Sequence, residues 1–219
     1  MPHPTSIAVI LNASAGAADS QSQRETELRD LFQAAGRPAD IVTLRAGQSP
    51  TDAAREASAS AGIVVAAGGD GTVSSVAAGI LDSPAALGVL PTGTLNHFAK
   101  DLGIPLGLRE AVEVIAAGHI APVDVGTVND QLFVNNSSIG VYPDIVVARE
   151  ELRRRGHRKL MAMIIATVNA VRRYPGLTVT IDTDGQRRTW RTPFLFVGNN
   201  EYAIDGLKTG GRARLDEGG

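Results

Sequence analysis

Ile63-Val64-Val65-Ala66-Ala67-Gly68-Gly69-Asp70-Gly71-Thr72 is the stretch on which the reading of this 219-residue chain turns. An unbroken apolar run rich in β-branched residues and closed by glycine reads as a strand covered on both faces, the habit of a parallel sheet. Open α/β sheets bind their ligands beyond the carboxyl ends of such strands, where this glycine run sits. The three glycines are expected to take backbone conformations closed to other residues and to bring N–H groups up to a phosphate. A helix beginning near Val73 would add the partial positive charge of its N-terminus, and Thr72 a hydroxyl. Asp70 needs its own reason. A carboxylate beside phosphates repels them unless it holds Mg²⁺ or takes a proton from an attacking hydroxyl. The plainer alternative is a glycine-rich turn with Asp70 as the N-cap of the next helix.

Working outward, the same β-α rhythm fills the first half of the chain. Ile7-Ala8-Val9-Ile10-Leu11 is a first buried strand, and a helix with Leu28, Leu31 and Phe32 on one face ends at Gly36. Ile41–Leu44 is a second strand. Ser49-Pro50, an N-cap followed by proline at the first helical position, opens an alanine-rich helix over 51–60. After the glycine run, helical spacing covers 73–81, and Leu87-Gly88-Val89-Leu90 is a fourth strand. Helical patterns follow at 95–102 and 108–117. Such alternation predicts a parallel sheet with helices on both sides.

A second loop of the same kind follows that fourth strand: Leu90-Pro91-Thr92-Gly93-Thr94-Leu95-Asn96-His97-Phe98-Ala99. Gly93 permits close approach, and Thr94 and Asn96 offer neutral donors toward a phosphate or base. Its plainer reading is an ordinary turn with Thr94 as the helix cap. Two other phosphate loops are excluded. A Walker loop needs Gly-Lys-Ser/Thr, and the lysines, Lys100, Lys159 and Lys208, are none of them preceded by glycine. A dinucleotide fingerprint counted from Gly69 would need glycine or alanine where Ser74 stands.

The rhythm changes near residue 127. Val123–Gly126 reads as a transition strand, and Leu132–Ser137 as another. Residues 150–173 hold one long helical pattern, and strands over 177–181, 186–191 and 194–197 include a hairpin turned at Asp184-Gly185. This organisation predicts an α/β domain over 1–126 and a mainly β, sandwich-like domain over 127–219. The latter is expected to be incomplete, because no closing element follows Leu215-Asp216-Glu217-Gly218-Gly219.

Bulk properties narrow the function class. Residues 1–127 carry 7 Lys/Arg against 13 Asp/Glu, and residues 128–219 carry 14 against 10. The acidic first part argues against a nucleic-acid partner, whereas the second could face something anionic. With no cysteine, disulfides and Cys-ligated zinc are excluded. No apolar stretch approaches the roughly 20 residues that span a bilayer, nor does the start resemble a signal peptide. A cytoplasmic protein touching at most the inner membrane face is expected. The basic residues Arg153, Arg154, Arg155, Arg158 and Lys159, beside apolar Leu160, Met161, Ile164 and Ile165, suit either a membrane-surface helix or a packing helix with a basic rim. The four histidines show no metal spacing, and no Gly-x-Ser-x-Gly elbow occurs.

Taken in order and spacing, Asn12-x-Ser14-x-Gly16, GGDGT and PTGTLNHFAKDLG resemble the diacylglycerol kinase catalytic-domain family, which includes sphingosine, ceramide and bacterial lipid kinases. The resemblance extends to Asp124-Val125-Gly126, Asn135–Gly140, Gly198-Asn199-Asn200 and Arg212–Gly218. It implies a nucleotide-binding α/β domain followed by a β-sandwich, with ATP in the cleft between them. It also implies that Asn12, Ser14, Gly16 and Thr43 belong to the nucleotide site. Gly68, Gly69, Asp70, Gly71, Thr72, Val73 and Ser74 would wrap the phosphates and Mg²⁺, joined by Gly93, Thr94 and Asn96. Asp70 is the catalytic candidate. Asp216 matches the start of an Asp-Asp-Gly stretch that helps hold a structural Mg²⁺ in bacterial members, with Glu217 in the second place here.

Two departures stand out. The family often has Asn-Asp where this chain has Asn96-His97, and a late Asp-Gly-Glu motif, whose Asp is proposed to deprotonate the acceptor, has no match here. The expected function is therefore ATP-dependent phosphorylation of a lipid hydroxyl of diacylglycerol type. The alternatives are a kinase of a soluble acceptor, in the manner of NAD kinases, and a nucleotide-binding module without catalysis. The oligomeric state is left between a single chain and a homodimer.

Overall fold

A computed structural model of the chain describes residues 6–12, 18–140, 176–205, 208–212 and 215–216. The helical pattern over 150–173, Ser14, Gly16 and Glu217 lie outside the described residues. The backbone divides into two compact units, one of residues 1–135 with 199–219 and one of residues 136–198.

Four parallel strands form the centre of the first unit: β1 (Ile7–Leu11), β2 (Ala39–Thr43), β3 (Ile63–Gly68) and β4 (Ala86–Pro91), in the order β2-β1-β3-β4. Period-2 geometry sends their side chains into two separate cores. Ala8, Ile10, Val64 and Ala66 pack on one face with Ala54 of α2 (Pro50–Ser58) and with Val73, Val76 and Ile80 of α3 (Asp70–Ile80). Phe98 of α4 (His97–Asp101) joins the same core. Val9, Leu11, Val65 and Ala67 face the other way, against Leu28 and Phe32 of α1 (Ala18–Ala34) and Val112 and Ile115 of α5 (Leu108–Ala117). Val9, Ile10, Val64 and Val65 are wholly buried. At roughly 1.5–3 kcal/mol for each large apolar side chain removed from water, these two cores dominate the stability of the unit. Ser49 caps α2 as expected, its Oγ accepting the Asp52 N–H at 3.2 Å, with Pro50 at the first position.

Beyond the sheet the expectations need correcting in places. Residues 119–125 form no strand. The expected strand over Val123–Gly126 is instead a segment held at Asp124, whose N–H donates to the Leu215 carbonyl at 2.7 Å, and only Gly126 belongs to a strand. The single strand expected over 132–137 is two, β6 (Gln131–Phe133) and β7 (Asn136–Gly140), because Val134 turns into the first core and breaks the pleat. β6 pairs with β5 (Gly126–Val128) around a turn at Asn129 and Asp130, both at positive φ. A further hairpin not anticipated from the sequence joins β11 (Tyr202–Asp205) to β12 (Lys208–Arg212).

The second unit shows antiparallel pairs. β8 (Leu177–Thr183) and β9 (Gln186–Thr192) form a hairpin whose turn residues, Asp184 and Gly185, take the φ values of 54° and 75° that the Asp-Gly signal requires. β7 pairs with β10 (Phe194–Gly198). A parallel α/β sheet followed by antiparallel strands is thus the architecture, as the sequence pattern implied.

Candidate functional site

The carboxyl ends of the four parallel strands bring most of the expected residues to one edge of the sheet. Gly68 and Pro91 are register partners at the ends of β3 and β4, so the two glycine loops leave the sheet side by side. Asn12 follows β1, its N–H donating to the Ala67 carbonyl at 3.0 Å. The chain order reverses between β1 and β3, the position at which doubly wound sheets open a binding crevice. Across it the Asn12 amide donates to the Thr72 hydroxyl at 2.9 Å.

The unusual backbone conformations expected of the first loop's glycines are not what the structure shows. None of Gly68, Gly69 and Gly71 has positive φ, and Gly69 is extended at φ −89°, ψ −178°. Close approach is the reason instead. A Cβ on Gly68 would lie 2.5 Å from the Thr72 hydroxyl, and one on Gly93 would lie 2.3 Å from the Gly69 Cα. The two loops touch backbone to backbone, with no room for a side chain at Gly93, whereas a Cβ on Gly69 would make only an ordinary contact at 3.6 Å. Gly71 differs. It is exposed, and a Cβ there meets nothing within 4 Å.

Gly69 is also the N-cap of α3, so that helix begins at Asp70 rather than near Val73. The first bond to its cap is from the Val73 N–H to the Gly69 carbonyl at 3.1 Å. The amides of Asp70, Gly71 and Thr72 precede it, and an α-helix offers such amides no partner of its own. Together with the positive end of the helix dipole they suit an anion. Val73 and Thr72 are buried, so Val73 brings only backbone to this edge, while Ser74 is half-buried.

Asp70 does not cap its own helix. Its carboxylate reaches the start of α4, where Oδ2 accepts the His97 N–H at 3.2 Å and Oδ1 accepts the Phe98 N–H at 3.0 Å. The Asn135 side-chain amide adds a third donor to Oδ1 at 3.1 Å. Asp70 therefore supplies to α4 the cap that Asn96, in left-handed conformation at φ 51° and without a side-chain cap bond, does not. Thr94, which the plainer reading made the cap, is exposed and lies two residues before Asn96.

Asn96 is committed to its own loop. Its amide donates to the carbonyls of Pro91 at 3.1 Å and Gly93 at 2.9 Å, and its oxygen accepts the Gly93 N–H at 3.0 Å. Both side-chain N–H groups are used, so Asn96 shapes the loop rather than offering a donor outward. Thr43 ends β2, where its hydroxyl donates to Glu25 at 3.0 Å. Arg29 first, and then this Thr43 bond, holds the Glu25 carboxyl below its ordinary value. The His97 residue is exposed while its N–H is bound to Asp70.

Asn135 is the residue that the sequence pattern did not single out for the site. The resemblance quoted it in a strand, but only the tertiary structure joins it to Asp70. It also belongs to a second cluster, where its carbonyl accepts the Asn199 N–H at 2.8 Å. The buried Asn199 amide donates to the carbonyls of Asp124 at 2.6 Å and Val134 at 3.1 Å, and Asn200 donates to Asp124 Oδ2 at 2.7 Å.

The acceptor atoms bear on Mg²⁺. Oδ1 of Asp70 already accepts two donors and Oδ2 one, which leaves one acceptor position on Oδ2. Asp216 is exposed, and among the described residues no group of three or more His, Asp or Glu side chains assembles to hold a metal. This donor set fits Mg²⁺ arriving on nucleotide phosphates, which the ion favours over an all-protein cage. Among the described residues no helix is long and apolar enough to cross a membrane.

Comparison with known proteins agrees with this geometry. The chain is 38% identical over 101 residues to a diacylglycerol kinase of Staphylococcus saprophyticus, a match covering 45% of this chain and 33% of that protein. It is 33% identical over 134 residues to a diacylglycerol kinase of Staphylococcus aureus, covering 60% of this chain and 42% of that one. The chain thus matches less than half the length of these relatives. A crystal structure of a diacylglycerol kinase from Bacillus anthracis superposes with a TM-score of 0.67 at 25% identity, over 92% of this chain and 67% of its own. The model of the diacylglycerol kinase catalytic domain matches residues 6–128, the segment that carries both glycine loops and more than half of the sequence. On that match the chain belongs to the diacylglycerol kinase catalytic domain family.

Proposed function

We propose that this chain carries the nucleotide site of an ATP-dependent kinase that phosphorylates a lipid hydroxyl, with a diacylglycerol-like acceptor. The observation that carries this reading is the pair of glycine loops, packed together at Gly69 and Gly93 on adjacent strand ends, beside the first amides of α3, to which the helix itself offers no partner. Residues 1–126 are proposed as the nucleotide-binding domain and 127–219 as part of the following β domain.

In this reading the amides of Asp70, Gly71 and Thr72 receive the phosphates, with Asn12 orienting the Thr72 hydroxyl. Gly93 and Asn96 fix the second loop, while Thr94, exposed at its tip, and Thr43, at the end of β2, border the nucleotide. Ser14 and Gly16, which follow Asn12 in the sequence, are assigned to the same nucleotide site, and Asp216 to a structural metal. When bound, Mg²⁺ would neutralise phosphate charge, and Asp70 Oδ2 is the atom available to it. The acceptor oxygen forms a bond to the γ-phosphorus as the bond from that phosphorus to the β,γ-bridging oxygen breaks. ADP departs, and the hydroxyl proton passes to a base. With three N–H donors on its carboxylate, Asp70 is assigned to anchoring rather than to that proton. Such a reaction is accelerated mainly by positioning and charge stabilisation.

The test combines binding and labelling. ATP with Mg²⁺ should bind saturably by calorimetry, and γ-labelled ATP with diacylglycerol in mixed micelles should give a labelled lipid phosphate. Gly71→Ala should leave the melting temperature close to that of the parent and weaken ATP binding by roughly tenfold, because its methyl enters the space left for the phosphate. Failure of the parent to bind ATP would sink the reading.

A further inference from the structure

We propose that Asn135 is a positioning residue of the nucleotide site, acting through Asp70. The inference rests on the kinase reading for its functional consequence, but on geometry alone for the contact. Asp70 seats both carboxylate oxygens on the first amides of α4, and Asn135 supplies the third donor from a different element, between β6 and β7. That third bond matters because two nearly parallel amides fix where a carboxylate sits but leave it free to tilt about the axis joining its oxygens. A donor from the side removes the tilt.

Asn135 is itself held on both sides. Its carbonyl accepts the Asn199 N–H at 2.8 Å, and the preceding Val134 is 1% exposed, with its own carbonyl bound by the Asn199 amide. The donor therefore presents a fixed point rather than a searching side chain. Its chemistry is also specific. Lysine or arginine would add a positive charge beside Asp70, and aspartate would add a repelling carboxylate. A neutral amide orients Asp70 while leaving its charge in place. Since α4 opens the segment beyond the second loop, tilting Asp70 would loosen the amides of His97 and Phe98 and with them the Pro91–Asn96 loop.

The test uses the full chain and two variants, Asn135→Leu and Asn135→Asp. Protection of the His97 and Phe98 amides against hydrogen exchange, corrected for intrinsic pH dependence, is read alongside the ATP·Mg²⁺ dissociation constant and the melting temperature. Asn135→Leu should lower protection at both amides and weaken ATP binding by roughly tenfold at every pH, the scale of losing one donor to a carboxylate. Asn135→Asp should behave likewise at pH 8, where two facing carboxylates repel. As pH falls toward 5.5, it should recover, because the paired carboxyl takes up a proton and donates in the amide's place. The titratable groups on the elements meeting there are Asp70 of α3, His97, Lys100 and Asp101 of α4, and Asp124 before β5. All are present in the parent, whose own pH profile is the control. A residue that merely fills space would show no such recovery. Unchanged protection in Asn135→Leu, or a pH-independent loss in Asn135→Asp, overturns the proposal. If the parent binds no ATP, the kinase reading falls while the exchange data still decide the role of Asn135.

Discussion

β3 and β9 are strands of similar length held by different forces. Every residue of β3 is buried, whereas β9 exposes all of its residues except Thr192, which is half-buried. β3 is a strand because two cores close over its faces. β9 is a strand because the Asp184-Gly185 turn sets its register and cross-strand pairs hold it, among them Val179 opposite Trp190 and a 3.0 Å bond between the Thr180 and Thr189 hydroxyls. Loops that must be placed to a fraction of an ångström sit on the first kind of strand. Rigidity at the loop edge comes from burial several residues away.

This contrast can be tested by substitution. The largest effect is expected for Phe98→Ala in the first unit, which empties a fully buried site beneath the second loop and should cost about 3–5 kcal/mol by urea denaturation. Gly93→Ala comes next, at about 1–3 kcal/mol, since its methyl must displace the Gly69 backbone. The same variant should lose ATP affinity as the loops part. Trp190→Ala, on a residue 46% exposed, should cost less than about 1 kcal/mol. A cost for Trp190 matching that for Phe98 would erase the distinction between the units.

The smallest effect is electrostatic. Glu25 is an acid whose folded value is depressed, by Arg29 first and Thr43 second, so its contribution is present above its ordinary value and lost as pH falls through the lower folded one. Glu25→Gln should therefore destabilise by only a few tenths of a kcal/mol at pH 7, the scale of a half-exposed helix pair. The difference from the parent should shrink toward zero in acid melts below the ordinary carboxylate range.

How much was legible in the sequence follows the same division. Unbroken apolar runs announced β1 and β3, because a strand buried on both faces has no polar positions to confuse the pattern, while the shorter runs at Ile41-Val42 and Val89-Leu90 marked β2 and β4. The Asp184-Gly185 turn announced β8 and β9 through backbone conformation alone. The break at Val134 was hidden, since a valine in an apolar run gives no sign that it belongs to another core. At the site, the glycines were found, but the left-handed conformations expected of them are replaced by close packing at Gly68 and Gly93. Their spacing cannot reveal that Gly69 faces Gly93, which depends on the β3–β4 register. For Asp70 the sequence suggested Mg²⁺ or a proton, with a local cap as the plainer alternative, because proximity in sequence was the available guide. Its partners stand 27, 28 and 65 residues away.

The short bond between the Asn199 N–H and the Asn135 carbonyl has a consequence for how the chain is made. The polypeptide leaves the first unit and re-enters it at neighbouring points, so residues 136–198 form an inserted module between two parts of one body. On a ribosome, the four parallel strands emerge early, yet the amide that ties Asp124, Val134 and Asn135 together arrives only with Asn199. The edge that holds Asp70 is thus fastened after the module has been synthesised. A chain in which a tight turn replaces residues 136–198 would fasten it at once.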